Sequence, residues 1–140
     1  MHVKDVMRRE VLTVSPETRI KEAARTLSDN HIGSLIVVKN EKVAGIITER
    51  DILRSLADSE KDEIESKIVE DAMTHYVIPI TSGSNVESAV KLMIENKIKK
   101  LPVIDNGKLV GIITASDIIT AQPDMIKSIR RLLSRKYAIT

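Results

Sequence analysis

Two short segments hold the residues whose types and spacing can do chemistry. They are Gly45-Ile46-Ile47-Thr48-Glu49-Arg50-Asp51 and Gly111-Ile112-Ile113-Thr114-Ala115-Ser116-Asp117. In each, an apolar run ends at a threonine, and an aspartate follows three residues later. The chemistry on offer is recognition rather than bond breaking. A threonine between a strand and a helix, with an acid one turn in, resembles a capping box, and an acid there also suits the helix dipole. The same parts suit a nucleotide. A helix N-terminus offers unpaired N–H groups to a phosphate. The threonine hydroxyl adds a donor, and the carboxylate can accept both hydroxyls of a ribose, as acids do in dinucleotide sites. A glycine three residues before the threonine permits close backbone approach. Aspartate is shorter than the glutamate or glutamine usual in a capping box, so its carboxylate is expected to reach back poorly and to point outward.

Other chemistries lack their residues. The chain has no cysteine, which excludes disulfides, thiolate metal sites and thiol nucleophiles. His2, His31 and His75 occupy no metal-ligand spacing, so no metal is expected. The serines lack a nucleophile-elbow context, and the acids form no catalytic pair. The expectation is therefore a protein without enzymatic activity or a required cofactor. A formal net charge of +2 does not argue for nucleic acid. With Tyr76 and Tyr137 as the only aromatics, base stacking on aromatic platforms is also missing. No apolar run reaches the ~18 residues that span a bilayer, and Met1-His2-Val3-Lys4-Asp5 does not read as a signal peptide. Cytoplasmic location follows by default.

The elements that must position the two aspartates come twice. Gly45 and Gly111 lie 66 residues apart, and the same offset lays Val3, Asp5 and Met7 on Val69, Asp71 and Met73, and Ala23, Asn30, Ile32 and Val37 on Ala89, Asn96, Ile98 and Val103. A repeat of this kind is one supersecondary unit used twice, each copy covering what the other leaves exposed. One copy of about 55 residues would be marginal alone. Periodicity predicts strands at 11–14, 34–38 and 43–48 with helices at 19–30 and 50–57. In the second copy it predicts strands at 77–80, 101–104 and 109–114 with helices at 86–96 and 116–121. Thr18 is the candidate N-cap of the first helix. Lys39-Asn40-Glu41-Lys42 and Asp105-Asn106-Gly107-Lys108 are hairpin turns. Each copy is thus β-α-β-β-α, in an α+β fold. Residues 58–68 read as a charged connector. The segment from Pro123 reads as an amphipathic helix, with Met125, Ile126, Ile129, Leu132 and Leu133 on one side and Lys127, Arg130, Arg131, Arg135 and Lys136 on the other.

The order of these parts resembles a tandem CBS-domain protein, a stand-alone Bateman module. The resemblance rests on the paired units, the Val-x-Asp-x-Met lead-ins, Leu101-Pro102-Val103-Ile104-Asp105 and the two Gly-Ile-Ile-Thr-x-x-Asp segments, and covers about residues 3–121. It implies two repeats packed with pseudo-twofold symmetry: repeat 1 at 1–57, the connector at 58–68, repeat 2 at 69–122 and the C-terminal basic helix at 123–140. It also implies regulatory, energy-sensing binding of AMP, ADP or ATP, and in some members of NAD or S-adenosylmethionine, in clefts between the repeats. By similarity, one cleft would hold Ile46, Thr48, Arg50 and Asp51 with Met73, Ile78, Ile98, Lys99 and Lys100. The other would hold Ile112, Thr114, Ser116 and Asp117 with Met7, Leu12, Ile32, Gly33 and Ser34. Family members often carry His-Arg before Leu-Pro-Val; here Lys99-Lys100 and Gly33-Ser34 stand there. The Asp51 cleft is therefore expected to favour more phosphate charge, and the Asp117 cleft to be less basic. The family also implies a homodimer through the helices at 50–57 and 116–121 and an unidentified regulated protein. Two other readings compete: an interaction module with no ligand, and nucleic-acid binding through the C-terminal helix.

Overall fold

The computed structural model describes residues 1–127, 129 and 130. The order of elements is α1 (Val3–Val6), β1 (Thr13–Val14), α2 (Ile20–Asn30), β2 (Ser34–Lys39), β3 (Lys42–Thr48) and α3 (Glu49–Ala57), then α4 (Val69–Ala72), α5 (Val86–Asn96), β4 (Lys100–Asp105), β5 (Lys108–Thr114) and α6 (Ala115–Ala121). Short 3-10 turns occupy Ile64–Ser66 and Pro123–Met125. The architecture is α+β.

The chain forms two compact units, and they are not the two halves of the sequence. Leu12–Val77 makes one, while Met1–Val11 joins the chain from Ile78 onward to make the other. The lead-ins are exchanged. Val3 and Lys4 donate their N–H groups to Ser84 and Ser82 carbonyls of the second repeat, at 2.8 and 3.0 Å. Val69 and Glu70 donate to Thr18 and Pro16 of the first repeat, at 2.7 and 3.0 Å. Val3 is fully buried among Val86, Met93, Leu101 and Ile118, and Val69 among Ile20, Leu27, Ile47 and Ile52. Burying a valine contributes about 1.5–3 kcal/mol, so each lead-in is part of its host's core. The lead-in aspartates are explained by capping: Asp5 accepts from the His2 N–H at 2.9 Å, and Asp71 from the Ile68 N–H at 3.0 Å.

The hairpins β2–β3 and β4–β5 are antiparallel, and both carry a register shift, at Val37/Val38 and at Val103/Ile104. Their turns use left-handed residues, Asn40 (φ 51°) with Glu41 (φ 65°), and Asn106 (φ 52°) with Gly107 (φ 79°). Glycine takes that conformation without cost. Glu41 does not, so the first turn is the more strained by roughly 1–2 kcal/mol.

Three sequence expectations change. The strand over 11–14 shortens to Thr13–Val14, parallel to β2. The strand expected at 77–80 is reduced to a single bridge, Ile80 with Val103. Pro79 and Pro102 stand where the first repeat has Thr13 and Ile36, and two prolines without N–H groups cannot extend that ladder. Thr18 is not the cap of α2, which starts after Arg19 without a side-chain cap; its hydroxyl is within 3.0 Å of the Ser15 hydroxyl instead. The connector holds one 3-10 turn, tied down where Arg19 Nη1 donates to the Glu65 carbonyl at 3.0 Å. Beyond Pro123, Ile129 is buried in the second unit's core and Met125 packs against that core, whereas Ile126 is half exposed. Leu132, Leu133, Arg131, Arg135 and Lys136 lie outside the described residues.

Candidate functional site

The Thr48–Asp51 junction is a closed capping box. Thr48 is extended (φ −112°, ψ 164°), and its hydroxyl accepts from the Asp51 N–H at 3.1 Å. Asp51 Oδ2 in turn accepts from the Thr48 N–H at 3.0 Å. The expectation that an aspartate reaches back poorly is therefore wrong at Asp51, as it is for Asp5 and Asp71. The first helical turn already brings the side chain over the cap N–H, so a short acid suffices. Asp51 is only 7% exposed. Its second oxygen lies 3.9 Å from Nη1 of the solvent-facing Arg54. One oxygen thus serves the helix, while the other faces the exposed Arg54 guanidinium.

The Thr114–Asp117 junction begins the same way, with the Thr114 hydroxyl accepting from the Asp117 N–H at 3.1 Å. Its carboxylate is then turned to Arg8. Arg8 Nε lies 3.1 and 3.2 Å from the two oxygens, and Nη2 donates to Oδ1 at 3.0 Å. The Asp117 side chain is 13% exposed under an arginine that is 70% exposed. The hydrogen bond to Asp117, and then its charge, raise the Arg8 pKa. Charge-assisted forks of this type are the stronger kind of hydrogen bond. Arg8 was absent from the sequence-derived set, and it puts a cation at the Asp117 end, which was expected to be the less basic one. A signal existed: Arg8 directly follows the Val-x-Asp-x-Met lead-in, where the second copy has Thr74.

The glycines of the two segments have a different use from the one expected. Arg8 and Ile112 exchange both backbone hydrogen bonds, at 2.8 and 2.9 Å, and Thr74 and Ile46 do the same, at 2.8 and 2.9 Å. A Cβ on Gly111 would stand 2.8 Å from the Arg8 carbonyl and 2.8 Å from Met7 Sδ, and one on Gly45 would strike the Thr74 carbonyl. The close approach is made by the protein's own lead-ins. Ile46 and Ile112 therefore have their backbone polar groups satisfied internally.

The remaining residues divide between the units. Ile46, Thr48, Arg50, Asp51 and Met73 share one unit with Leu12, Ile32, Gly33 and Ser34. Ile112, Thr114, Ser116, Asp117 and Met7 share the other with Ile78, Ile98, Lys99 and Lys100. Within each unit the strand entry abuts the helix start. The Gly33 carbonyl accepts from the Glu49 N–H at 3.0 Å, and the Lys99 carbonyl from the Ala115 N–H at 2.9 Å. Ser34 pairs with Thr48, and Lys100 with Thr114. Arg50 and Ser116 are exposed in the first helical turns. Among the described residues, no group of three His, Asp or Glu side chains is arranged to hold a metal ion, and no helix is long and apolar enough to cross a membrane.

Comparison with known proteins gives this arrangement a family. The model of the CBS domain matches twice, at residues 3–58 and 69–124. An uncharacterised protein of Methanopyrus kandleri is 36% identical over 135 residues, which is 95% of this chain and 68% of that protein. Some curated relatives are much longer; the chain spans 22% of the inosine-5'-monophosphate dehydrogenase of Thermoplasma acidophilum. The CBS-domain pair of protein MJ0100, solved in complex with 5'-methylthioadenosine and S-adenosyl-L-methionine, superposes with a TM-score of 0.77 at 31% identity, covering 89% of this chain and 97% of that one. CBSX2, solved in complex with AMP, gives 0.77 at 28% identity, with 89% and 97% covered. The exchanged lead-ins, the twin Thr-x-x-Asp junctions and both family matches lead to one conclusion: the chain belongs to the CBS-domain family and carries a tandem pair of these domains.

Proposed function

We propose that the chain is a non-enzymatic regulatory module that binds adenosine-containing ligands through Asp51 and Asp117. The observation that carries this reading is the pair of largely buried carboxylates, each one turn into a helix that starts at a threonine cap. Each acid would accept the vicinal hydroxyls of a ribose. Thr48 and Arg50 at one end, and Thr114 and Ser116 at the other, would lie toward the phosphates. The ligands named for MJ0100 and CBSX2 share an adenosine moiety, which supports the class and leaves AMP, ADP, ATP, NAD and S-adenosylmethionine as the set to test. Ligand binding would act by its difference in affinity between conformations.

Titration calorimetry on the wild type, Asp51→Ala and Asp117→Ala with AMP, ATP, NADH and S-adenosylmethionine tests this. Each substitution is expected to remove one binding event and spare the other. A ligand at 100 times its dissociation constant should raise stability by ~2.7 kcal/mol in thermal melts. Small, equal effects of both substitutions, or no binding by any of the four, would remove the reading.

A second feature favours self-association. Leu53 is 67% exposed and Leu56 39% exposed on α3. We infer that a second copy of the chain covers them, as the homodimer through which a bound ligand is reported to a regulated protein. Were no ligand bound, this association would be the remaining function.

A further inference from the structure

The two aspartates are the same residue in the same repeat position, yet only Asp117 is held by a cation from outside its own helix. Asp51 faces Thr48 and Arg54, both of which belong to its own junction and helix. Asp117 takes three donated hydrogen-bond contacts from Arg8. A carboxylate has about four lone-pair positions and Arg8 makes three contacts with them, so a ribose diol, which needs two, competes with the fork for the same oxygens. Resting on the assignment of Asp117 as the ribose acid, we propose that Arg8 is a displaceable internal cover on that carboxylate, and that it restricts the Asp117 end to anionic adenosine ligands.

The argument is one of exchange. The Arg8 main chain cannot retreat, because it is bonded in both directions to Ile112, and Met7 is seated against Gly111. Its side chain can, being 70% exposed. When a ribose takes Asp117, the guanidinium loses its fork but remains tethered within a side chain's reach. A neutral nucleoside provides no replacement partner, so its binding bears the whole loss. A 5'-phosphate provides a second oxyanion for the same fork, since arginine matches phosphate and carboxylate alike. The ion pair that Arg8 loses is thus replaced when a nucleotide binds and is not replaced when adenosine binds. Thr74, the counterpart of Arg8, has no charge, so the Asp51 end has no lead-in cation, and Arg54 stands off its carboxylate at 3.9 Å without forking it.

The test uses Asp51→Ala as the parent, leaving one end to titrate, with adenosine and AMP as probes. In the parent, AMP is expected to bind more tightly than adenosine. Adding Arg8→Ala should tighten adenosine about fivefold and weaken AMP, so that the preference shrinks by about tenfold or more. Arg8→Lys should fall between, because a point charge replaces the fork. The side-chain Nε–H resonance of Arg8 should shift on AMP addition to the parent. Arg8→Ala weakening both ligands by the same factor would make Arg8 a simple support for Asp117 and overturn the proposal, as would an Nε–H resonance unmoved by saturating AMP. A different result marks failure of the site itself: if Asp51→Ala with Asp117→Ala binds as well as the parent, the ribose assignment falls, whatever Arg8 does.

Discussion

Aspartate performs three distinct tasks here, and partner geometry decides which. Asp51 closes its own helix, Asp117 is held by Arg8, and Asp105 locks the loop before α5. Asp105 Oδ1 accepts from the Ser82 N–H at 3.0 Å, and Oδ2 accepts from the Ser82 hydroxyl. The hydroxyl bond first, and the backbone bond second, hold the Asp105 carboxyl below its usual pKa. A group whose folded pKa is depressed contributes stability above its unfolded pKa of ~3.9, and loses it as pH falls through the folded value. Asp105→Asn should therefore be less stable than the wild type at pH 7, with a constant deficit between pH 5 and pH 8. The deficit should narrow below about pH 4. Urea denaturation at pH 7, 5 and 3 reads this directly; a gap that stays constant down to the lowest pH would mean that shape, and not charge, makes the lock. The same comparison explains what was illegible at this scale. Thr-x-x-Asp is visible in the sequence, but whether the carboxylate turns inward or sideways depends on a residue more than 100 positions away, as the Arg8–Asp117 separation shows.

At the scale of elements, periodicity placed α2, α5 and both hairpins within a residue or two, because each pairs a helical or alternating apolar pattern with a local terminator. His31 (φ 53°) and Lys97 (φ 56°) end the two long helices in the left-handed region, at equivalent positions of the repeat. The misses are equally physical. Pro79 and Pro102 cut to one bridge a ladder that apolar character alone suggested, and the four-residue helices α1 and α4 are too short to show a period. Helix α3 carries a prediction. It buries Asp51, Ile52 and Ser55 while Leu53 and Leu56 face outward. Surface substitutions of this kind usually change folding stability by less than ~0.5 kcal/mol. Leu53→Asp with Leu56→Asp should thus keep the fold but shift sedimentation from dimer to monomer. A wild type that sediments as a monomer at high micromolar concentration would remove the α3 interface.

For the whole molecule, the exchange of lead-ins makes each repeat dependent on the other's first residues. Residues 12–77 contain the first repeat's sheet and helices together with Val69 and Met73, which complete its core. Residues 1–66 contain the same sheet and helices but lack both side chains, and carry Val3, whose place is among Val86 and Ile118. A fragment spanning 12–77 is therefore expected to give dispersed amide resonances and a cooperative melt, though a marginal one for its size. The fragment 1–66 should not fold alone, losing about 1.5–3 kcal/mol for each apolar side chain withdrawn from its core. Equal folding of both fragments would show that the lead-ins are accessory rather than integral.

By itself, the amino-acid sequence determined that a supersecondary unit occurs twice, where its hairpins turn, and that a threonine and an aspartate stand at each strand-to-helix junction. These are local facts, set by side-chain period, by backbone conformations open to Asn and Gly, and by the reach of a side chain over one helical turn. Only tertiary structure decided which copy each lead-in completes, what presses against Gly45 and Gly111, and that Arg8 covers Asp117 while Asp51 closes on its own helix. Those outcomes depend on contacts between distant stretches of chain. The 66-residue offset matches Arg8 with Thr74 and is silent about the carboxylate that either one meets.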